Sequence, residues 1–304
     1  ALMISTFRRI LFNTPGDSLK KINKAFTFGG DRLDTIVLDL EDGVALNQKT
    51  QARDNIFKHL CCYSPTSQSS EVLIRLNSLD EESLFSQDMR LVEQLKNANA
   101  LRHVGGFVLP KVEDPKQIEQ VDQWLNIIGF HHKDDQQRKK HLLLSIESAQ
   151  ALVNLREICQ SKYAYHRASQ VDALVFASED LCADMHMHRT SSGEELMFAQ
   201  ARIATFAHAF QIQPIDMVCI EYNNLDQLAK ECQRAFNMGY SAKQAIHPAQ
   251  IDVISKHFSP TEKQIAFAKE IVQRAKDQPT LGAFTVDGIV VDLPVMKWAK
   301  KILK

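Results

Sequence analysis

Leu174-Val175-Phe176-Ala177-Ser178-Glu179-Asp180 is a short apolar run that stops at two adjacent carboxylates. A run of this kind reads as a buried parallel strand whose carboxyl end emerges into a polar site. Upstream, Leu142-Leu143-Leu144-Ser145-Ile146-Glu147 has the same design. Carboxylates delivered from the ends of two buried strands suit a small, hard dication, because Mg²⁺ prefers oxygen ligands. Glu147 and Asp180 are therefore the candidate metal ligands.

Working outward, the strand pattern recurs. Residues 8–12 run into a Pro15-Gly16 turn, with Asp17 or Ser18 placed to cap a helix over 19–26. Further strand-like runs occupy 35–40, 72–77, 105–111, 214–218 and 241–248, and Gly43 permits a sharp exit after the first of these. Helical patterns fill 47–60, 81–96, 114–127 with an Asp cap, 149–160, 194–210, and 224–238 before Gly239. Eight strand-like runs alternating with helices predict one α/β domain over residues 1–258, a (β/α)₈ or TIM barrel. An open doubly wound sheet fits less well. No G-x-G-x-x-G follows the first strand, and polar residues lie at many strand ends rather than at one switch point.

Residues 259–304 have no place in a barrel wall. They read as a helix over 261–276, a hairpin turning at Asp287-Gly288, and a terminal helix from Val295. Such an appendage is free to act as a lid, and Asp292 at its hairpin end reads on composition as a helix cap.

With 304 residues and 44% hydrophobic content, the chain can bury a large core. A formal net charge of -1 with interspersed signs provides no global field for nucleic acid, so a small anionic ligand met by local cations fits better. Apolar runs fall far short of the ~20 residues of a membrane span, and residues 1–7 show no signal-peptide hydrophobic region. A soluble protein is expected, cytoplasmic in a bacterium or in the mitochondrial matrix of a eukaryote.

The six cysteines show no C-x-x-C spacing and read as reduced, mostly buried thiols, with Cys61-Cys62 ending a helix. Residues 131–141, the most polar stretch, read as a surface loop. Residues 183–189 read as an irregular loop whose His186 and His188 lack a third metal ligand.

Two cationic features stay open on the residues alone. Arg75 lies inside an apolar run and cannot shed its charge, so it points at an anion, either a structural carboxylate or a substrate. Lys20 and Lys24, one helical turn apart, either meet phosphates or form a solvated face.

Several motifs, in one order along the chain, resemble a known family. They are Arg9-x5-Pro15-Gly16, Leu38-Asp39-Leu40-Glu41-Asp42-Gly43-Val44, Ile74-Arg75-Leu76-Asn77, Leu109-Pro110-Lys111-Val112-Glu113, Glu147-Ser148-Ala149, Glu179-Asp180 and Gln244-Ala245-Ile246-His247-Pro248. With the tail through Val291-Asp292-Leu293-Pro294, they resemble the citrate lyase β-subunit-like acyl-CoA lyases of the HpcH/HpaI aldolase superfamily, and within these the citramalyl-CoA lyases. The resemblance implies a barrel homotrimer holding Mg²⁺ on Glu147 and Asp180, with Asp39, Glu41 and Asp42 behind them. It also implies that Arg75 contacts substrate, that Lys20 and Lys24 touch the CoA, and that Ala245 and Ile246 lie along it. Asp292 would enter from a lid exchanged between subunits. Asn13 departs from the pattern, standing where citramalyl-CoA lyases carry an aromatic residue lining the pocket.

The implied chemistry makes three demands. A 3-hydroxyacyl thioester splits when its hydroxyl loses a proton and the neighbouring C–C bond breaks, leaving a 2-oxo acid and a thioester enolate. A dication stabilises the developing alkoxide. Arg75 neutralises the enolate, a contribution on the order of 3 kcal/mol of barrier. Asp292 protonates the enolate carbon. The first substrate to expect is (S)-citramalyl-CoA, giving pyruvate and acetyl-CoA. Alternatives are cleavage or hydrolysis of malyl-CoA, condensation of glyoxylate with acetyl-CoA, and citryl-thioester cleavage as one subunit of citrate lyase. Phosphoryl transfer lacks its phosphate-cradling glycine loop, and a metabolite-binding protein would not need so complete a set of reactive groups.

Overall fold

The computed structural model describes residues 8–28, 32–129, 139–163, 168–277 and 283–303. Eight parallel strands close into a barrel in chain order: β1 (Ile10–Pro15), β2 (Thr35–Asp39), β3 (Glu71–Arg75), β4 (Gly106–Leu109), β5 (Lys140–Ile146), β6 (Ser169–Phe176), β7 (Gln213–Asp216) and β8 (Ala242–Ala245). Closure comes from β8 pairing with β1, Gln244 opposite Leu11. Between the strands run α1 (Leu19–Phe26), α2 (Lys49–Cys62), α3 (Glu82–Asn97), α4 (Pro115–Ile127), α5 (Ala149–Val153), α6 (Leu155–Gln160), α7 (Ser178–Asp184), α8 (Met197–Ala209) and α9 (Leu225–Asn237), and α10 (Ile251–Phe258) follows β8. The expected (β/α)₈ architecture is the one observed.

Every residue of β2 is buried, as a strand must be when one face lines the barrel and the other meets helices. The interior is a cluster of Leu11, Val37, Leu73, Val108, Leu143, Ala173, Val175, Ile215 and Ala242, with at least one residue from each strand. Side chains alternate along a strand, so the next inward position lies two residues on. Those positions are Asn13, Asp39, Arg75, Pro110, Ser145, Ala177, Met217 and Gln244, five of the eight polar or charged. The apolar plug thus gives way to a polar floor one layer nearer the carboxyl ends, which is where barrel enzymes carry their chemistry. At the opposite end Arg8, fully buried, pairs with Glu71 at 2.6 Å and Asp172 at 2.7 Å.

Local signals hold where capping chemistry is explicit. Ser18 caps α1, Asp114 and Gln117 form a capping box on α4 ahead of Pro115, and Asn224 caps α9. Other expectations need correction. The run beginning at Leu174 leaves the sheet at Phe176, and Ser178–Asp184 is helical rather than part strand and part loop. Carboxylates favour the first turn of a helix, where backbone N–H groups are unpaired, and Glu179 and Asp180 occupy that turn. The helix expected over 149–160 breaks at Asn154 into α5 and α6.

Four cysteines are buried, while Cys61 and Cys62 are exposed at the end of α2. Residues 131–138 of the polar stretch lie outside the described residues, and Lys140 and His141 already belong to β5. No helix among the described residues is long and apolar enough to cross a membrane.

The chain divides into two compact units, Ala1–Lys256 and His257–Lys304. In the second, α11 (Glu262–Asp277), β9 (Phe284–Val286), β10 (Ile289–Val291) and α12 (Leu293–Ile302) share a core of Ala268, Ile271, Val286, Val291 and Ala299. Strands β9 and β10 are antiparallel, and the turn residues Asp287 and Gly288 have φ of 48° and 78°. Two successive positive φ values are what a tight I′ hairpin requires, so the Asp-Gly signal is read correctly.

Candidate active site

The polar floor is organised around Asp39. Its carboxylate accepts hydrogen bonds from the backbone N–H groups of Glu41 at 2.8 Å and Gly43 at 3.0 Å. A Cβ on residue 43 would collide with that carboxylate, so the grip requires glycine. Arg75 donates to both Asp39 oxygens, at 2.7 and 2.6 Å, and pairs with Glu41 at 3.0 Å. Its nearest anions are therefore structural carboxylates. The guanidinium has more N–H donors than these contacts use, and 20% of the side chain is exposed, so it is preoriented with donors to spare. Burial opposes its charge, but Asp39 and Glu41 more than offset that and hold it cationic.

Glu41 bridges to Lys111, whose ammonium lies 3.2 Å from the other carboxylate oxygen. Sequence reasoning missed Lys111. Its φ of 53° is left-handed, a conformation costing an ordinary residue on the order of 1 kcal/mol and found preferentially where function over-determines the backbone. In this pose its N–H donates to the Glu147 carboxylate and its carbonyl accepts from Gln117 at 3.2 Å. The signals in the sequence were the polar exit Pro110-Lys111 at a strand end and its place in the motif Leu109–Glu113, neither of which announces a left-handed residue.

Glu147 is 5% exposed, and burial pushes its carboxyl up to about 8, with Asp180 and Glu41 adding to the shift. Burial also raises Asp180, reinforced by Asp42 and opposed by Lys111 and Arg75. Ion pairs and hydrogen bonds link Asp39, Arg75, Glu41, Lys111 and Glu147 into one cluster, and Asp180 and Asp42 bear on it through their charge. Asp39, Glu41, Asp42, Glu147 and Asp180 supply the anions, against Arg75 and Lys111 as cations. Such an excess of hard oxygen donors, with the carboxylates of Asp39, Glu41 and Glu147 buried, fits a divalent cation. No cage of three or more His, Cys, Asp or Glu exists among the described residues. Two carboxylates with remaining positions left to water and substrate is the usual Mg²⁺ arrangement.

Asn13 donates to Gln244 at 3.0 Å, and Gln244 donates in turn to the Phe176 carbonyl at 3.0 Å. Beside them Ala245 is buried and Ile246 is 41% exposed. Lys20 and Lys24 lie on the exposed face of α1 and make no ion pair among the described residues. Asp292 belongs to the second unit, where it is exposed and accepts a hydrogen bond from the Val295 N–H at 3.2 Å, the capping contact its composition suggested.

The model of the HpcH/HpaI aldolase/citrate lyase family matches residues 9–248. The chain belongs to this family. Among HpcH/HpaI relatives, the mitochondrial citramalyl-CoA lyase of Rattus norvegicus is 33% identical over 302 residues, spanning 97% of this chain and 85% of that protein. Citrate lyase subunit beta of Leuconostoc mesenteroides subsp. cremoris is 28% identical, spanning 98% and 92%. The crystal structure of CitE from Mycobacterium tuberculosis in complex with magnesium, acetoacetate and coenzyme A matches with a TM-score of 0.73 at 23% identity, over 99% and 98% of the two chains, which shows a common fold. The HpcH/HpaI match contains every barrel residue of the site, whereas Asp292 lies beyond it.

Proposed function

We propose that this chain is a Mg²⁺-dependent carbon–carbon lyase that cleaves (S)-citramalyl-CoA to pyruvate and acetyl-CoA. The observation that carries the reading is the polar cluster at the strand ends, in which the buried Glu147 accepts from the Lys111 N–H, Lys111 pairs with Glu41, and Glu41 pairs with Arg75. Within a family whose relatives include citramalyl-CoA lyases, that cluster has a ready use. Glu147 and Asp180 would hold the ion, with Asp39, Glu41 and Asp42 fixing the loop and the counter-charges behind them. When bound, Mg²⁺ supplies Lewis acidity to the 2-oxo-acid half of the substrate.

The remaining work belongs to side chains. Arg75, locked on Asp39, presents its spare donors to the thioester oxygen as the enolate forms. Asp292 takes the hydroxyl proton as the C–C bond breaks, the electron pair of that bond becomes the thioester enolate, and Asp292 returns the proton to the enolate carbon. Lys20 and Lys24 meet the CoA phosphates, and Ala245 and Ile246 flank its pantetheine arm. The active assembly is a homotrimer in which Asp292 comes from a neighbour's residue 259–304 extension. The rat relative is mitochondrial, which supports a mitochondrial location as the alternative to a cytoplasmic one.

A coupled assay over a panel of 3-hydroxyacyl-CoA esters tests this directly. Turnover of citramalyl-CoA with MgCl₂, lost on chelation and restored by excess Mg²⁺, is the expected result. Inactivity on every free CoA ester would sink it. The similarity to citrate lyase subunit beta supports a second reading, cleavage of a carrier-bound citryl thioester, which predicts that inactivity.

Asp292→Asn is expected to lower kcat at least ~10²-fold with little change in CoA-ester affinity. Wild-type kcat in that variant would remove Asp292 from the mechanism. Asn13→Tyr replaces the partner of Gln244 by an aromatic ring and is expected to change the ratio of malyl-CoA to citramalyl-CoA turnover by ~10-fold, the scale of one altered pocket contact. An unchanged ratio means that Asn13 does not shape the acyl pocket.

A further inference from the structure

Asp180 sits in a helix poorly equipped to hold it still. Helix α7 has seven residues, and no side chain caps its start. A helix that short is marginal by itself, yet a metal ligand must be fixed to roughly 0.5 Å. The restraint comes from Arg189. Its Nη1 donates to the Ser178 hydroxyl at 3.2 Å and to the Glu179 carboxylate, both in the turn that bears Asp180. Its Nη2 donates to the Val218 carbonyl at 3.0 Å, just beyond β7, and lies 3.4 Å from Glu231 on α9. Glu231 continues to Lys243 on β8 at 3.1 Å, and Lys243 to Asp216 on β7 at 2.7 Å. One guanidinium, 10% exposed, therefore fastens the first turn of α7 to the β7 exit and to a buried ion-pair chain.

We propose that Arg189 is a positioning residue for the dication, clamping the turn that presents Asp180. The inference rests on the reading of Asp180 as a metal ligand. A lysine replaces it only in part, because one ammonium does not reach acceptors on separate elements as a planar fork does. Charge alone works in the opposite direction. Deleting a cation near a Mg²⁺ site strengthens binding by simple electrostatics, so weaker binding must come from lost geometry.

The test is titration of the purified protein with MgCl₂ alone, read by calorimetry and by the Mg²⁺-induced rise in Tm, for wild type, Asp180→Asn, Arg189→Met and Arg189→Lys. The expected result is ~10–100-fold weaker Mg²⁺ binding in Arg189→Met, the range for residues that orient a ligand from behind, with Arg189→Lys intermediate. Arg189→Met should fold, since Glu231 keeps Lys243. Should it fail to fold, Glu179→Ala and Glu179→Gln decide, because both lose the charge of a half-exposed residue and only Ala loses the acceptor. A clamp weakens Mg²⁺ binding more in Glu179→Ala than in Glu179→Gln. Wild-type Mg²⁺ affinity in Arg189→Met, even with a lower metal-free Tm, overturns the proposal and leaves the metal site standing, as do equal affinities in the two Glu179 variants. If wild type itself gives no response to Mg²⁺, the metal reading fails and the clamp fails with it.

Discussion

Glu147→Gln is expected to lower kcat by ~10³-fold or more while making the metal-free protein more stable. The activity loss follows from removing an anionic ligand of a Lewis acid that contributes several kcal/mol to the barrier. The stability gain follows from the same burial. With its carboxyl pushed from 4.5 up to about 8 in the fold, Glu147 takes up a proton on folding between those values. The folded state therefore loses stability relative to the unfolded chain as pH rises from 4.5 to 8, and the full penalty applies above 8. Glutamine keeps an acceptor for the Lys111 N–H and has no charge to desolvate. At pH 8 without metal the variant should gain on the order of 2–4 kcal/mol, seen as a Tm several degrees higher. The advantage should vanish at pH 4 and shrink when Mg²⁺ stabilises wild type alone. A metal-free variant less stable than wild type at pH 8 would contradict the idea that this carboxylate is held at a cost for function.

Lys243→Met is expected to destabilise the barrel by about 3–5 kcal/mol, because it strips the counter-ion from buried acids. Lys243 and Asp216 are fully buried, and Glu231 is nearly so. Burial disfavours the ammonium, yet Asp216 and Glu231 raise its pKa and hold it charged. Methionine occupies a similar volume but leaves Asp216 with Gln200 as its hydrogen-bond donor, at 2.8 Å, and Glu231 with only the longer contacts to Arg189 and Gln227. The companion Lys243→Met/Asp216→Asn should recover much of the loss, since a neutral amide in place of the carboxylate removes one uncompensated charge. Urea midpoints for the single and double variants measure both effects. A single-variant loss near zero would mean that the chain of ion pairs does not hold β7, β8 and α9 together.

What was legible before folding was what short-range energetics controls. The alternation of apolar runs with amphipathic stretches marks eight strands and their helices, and Ser18, Asp114, Asn224 and Asp287-Gly288 mark ends and turns, because capping and turn conformations involve residues a few positions apart. Those runs also brought Glu147, Asp180 and Arg75 forward, since ionisable groups among buried residues need partners wherever the chain goes.

The pairing itself came only with closure. Asp39 meets Arg75 because β2 and β3 pair in a register that sets the two opposite each other, and Glu147 meets the Lys111 N–H because the exits of β4 and β5 are neighbours in the closed sheet. No local period encodes that register. Helix α7 stands where a strand end was expected, and its first turn meets Arg189 through Ser178 and Glu179, a contact between segments ten residues apart that no local pattern announces. Lys111 stayed invisible for the same reason, its left-handed backbone being sustained by Glu147, Gln117 and Glu41 together. Propensity and patterning therefore determined the architecture and nominated the charges, whereas the partners of those charges depended on contacts between distant segments that exist only in the closed barrel.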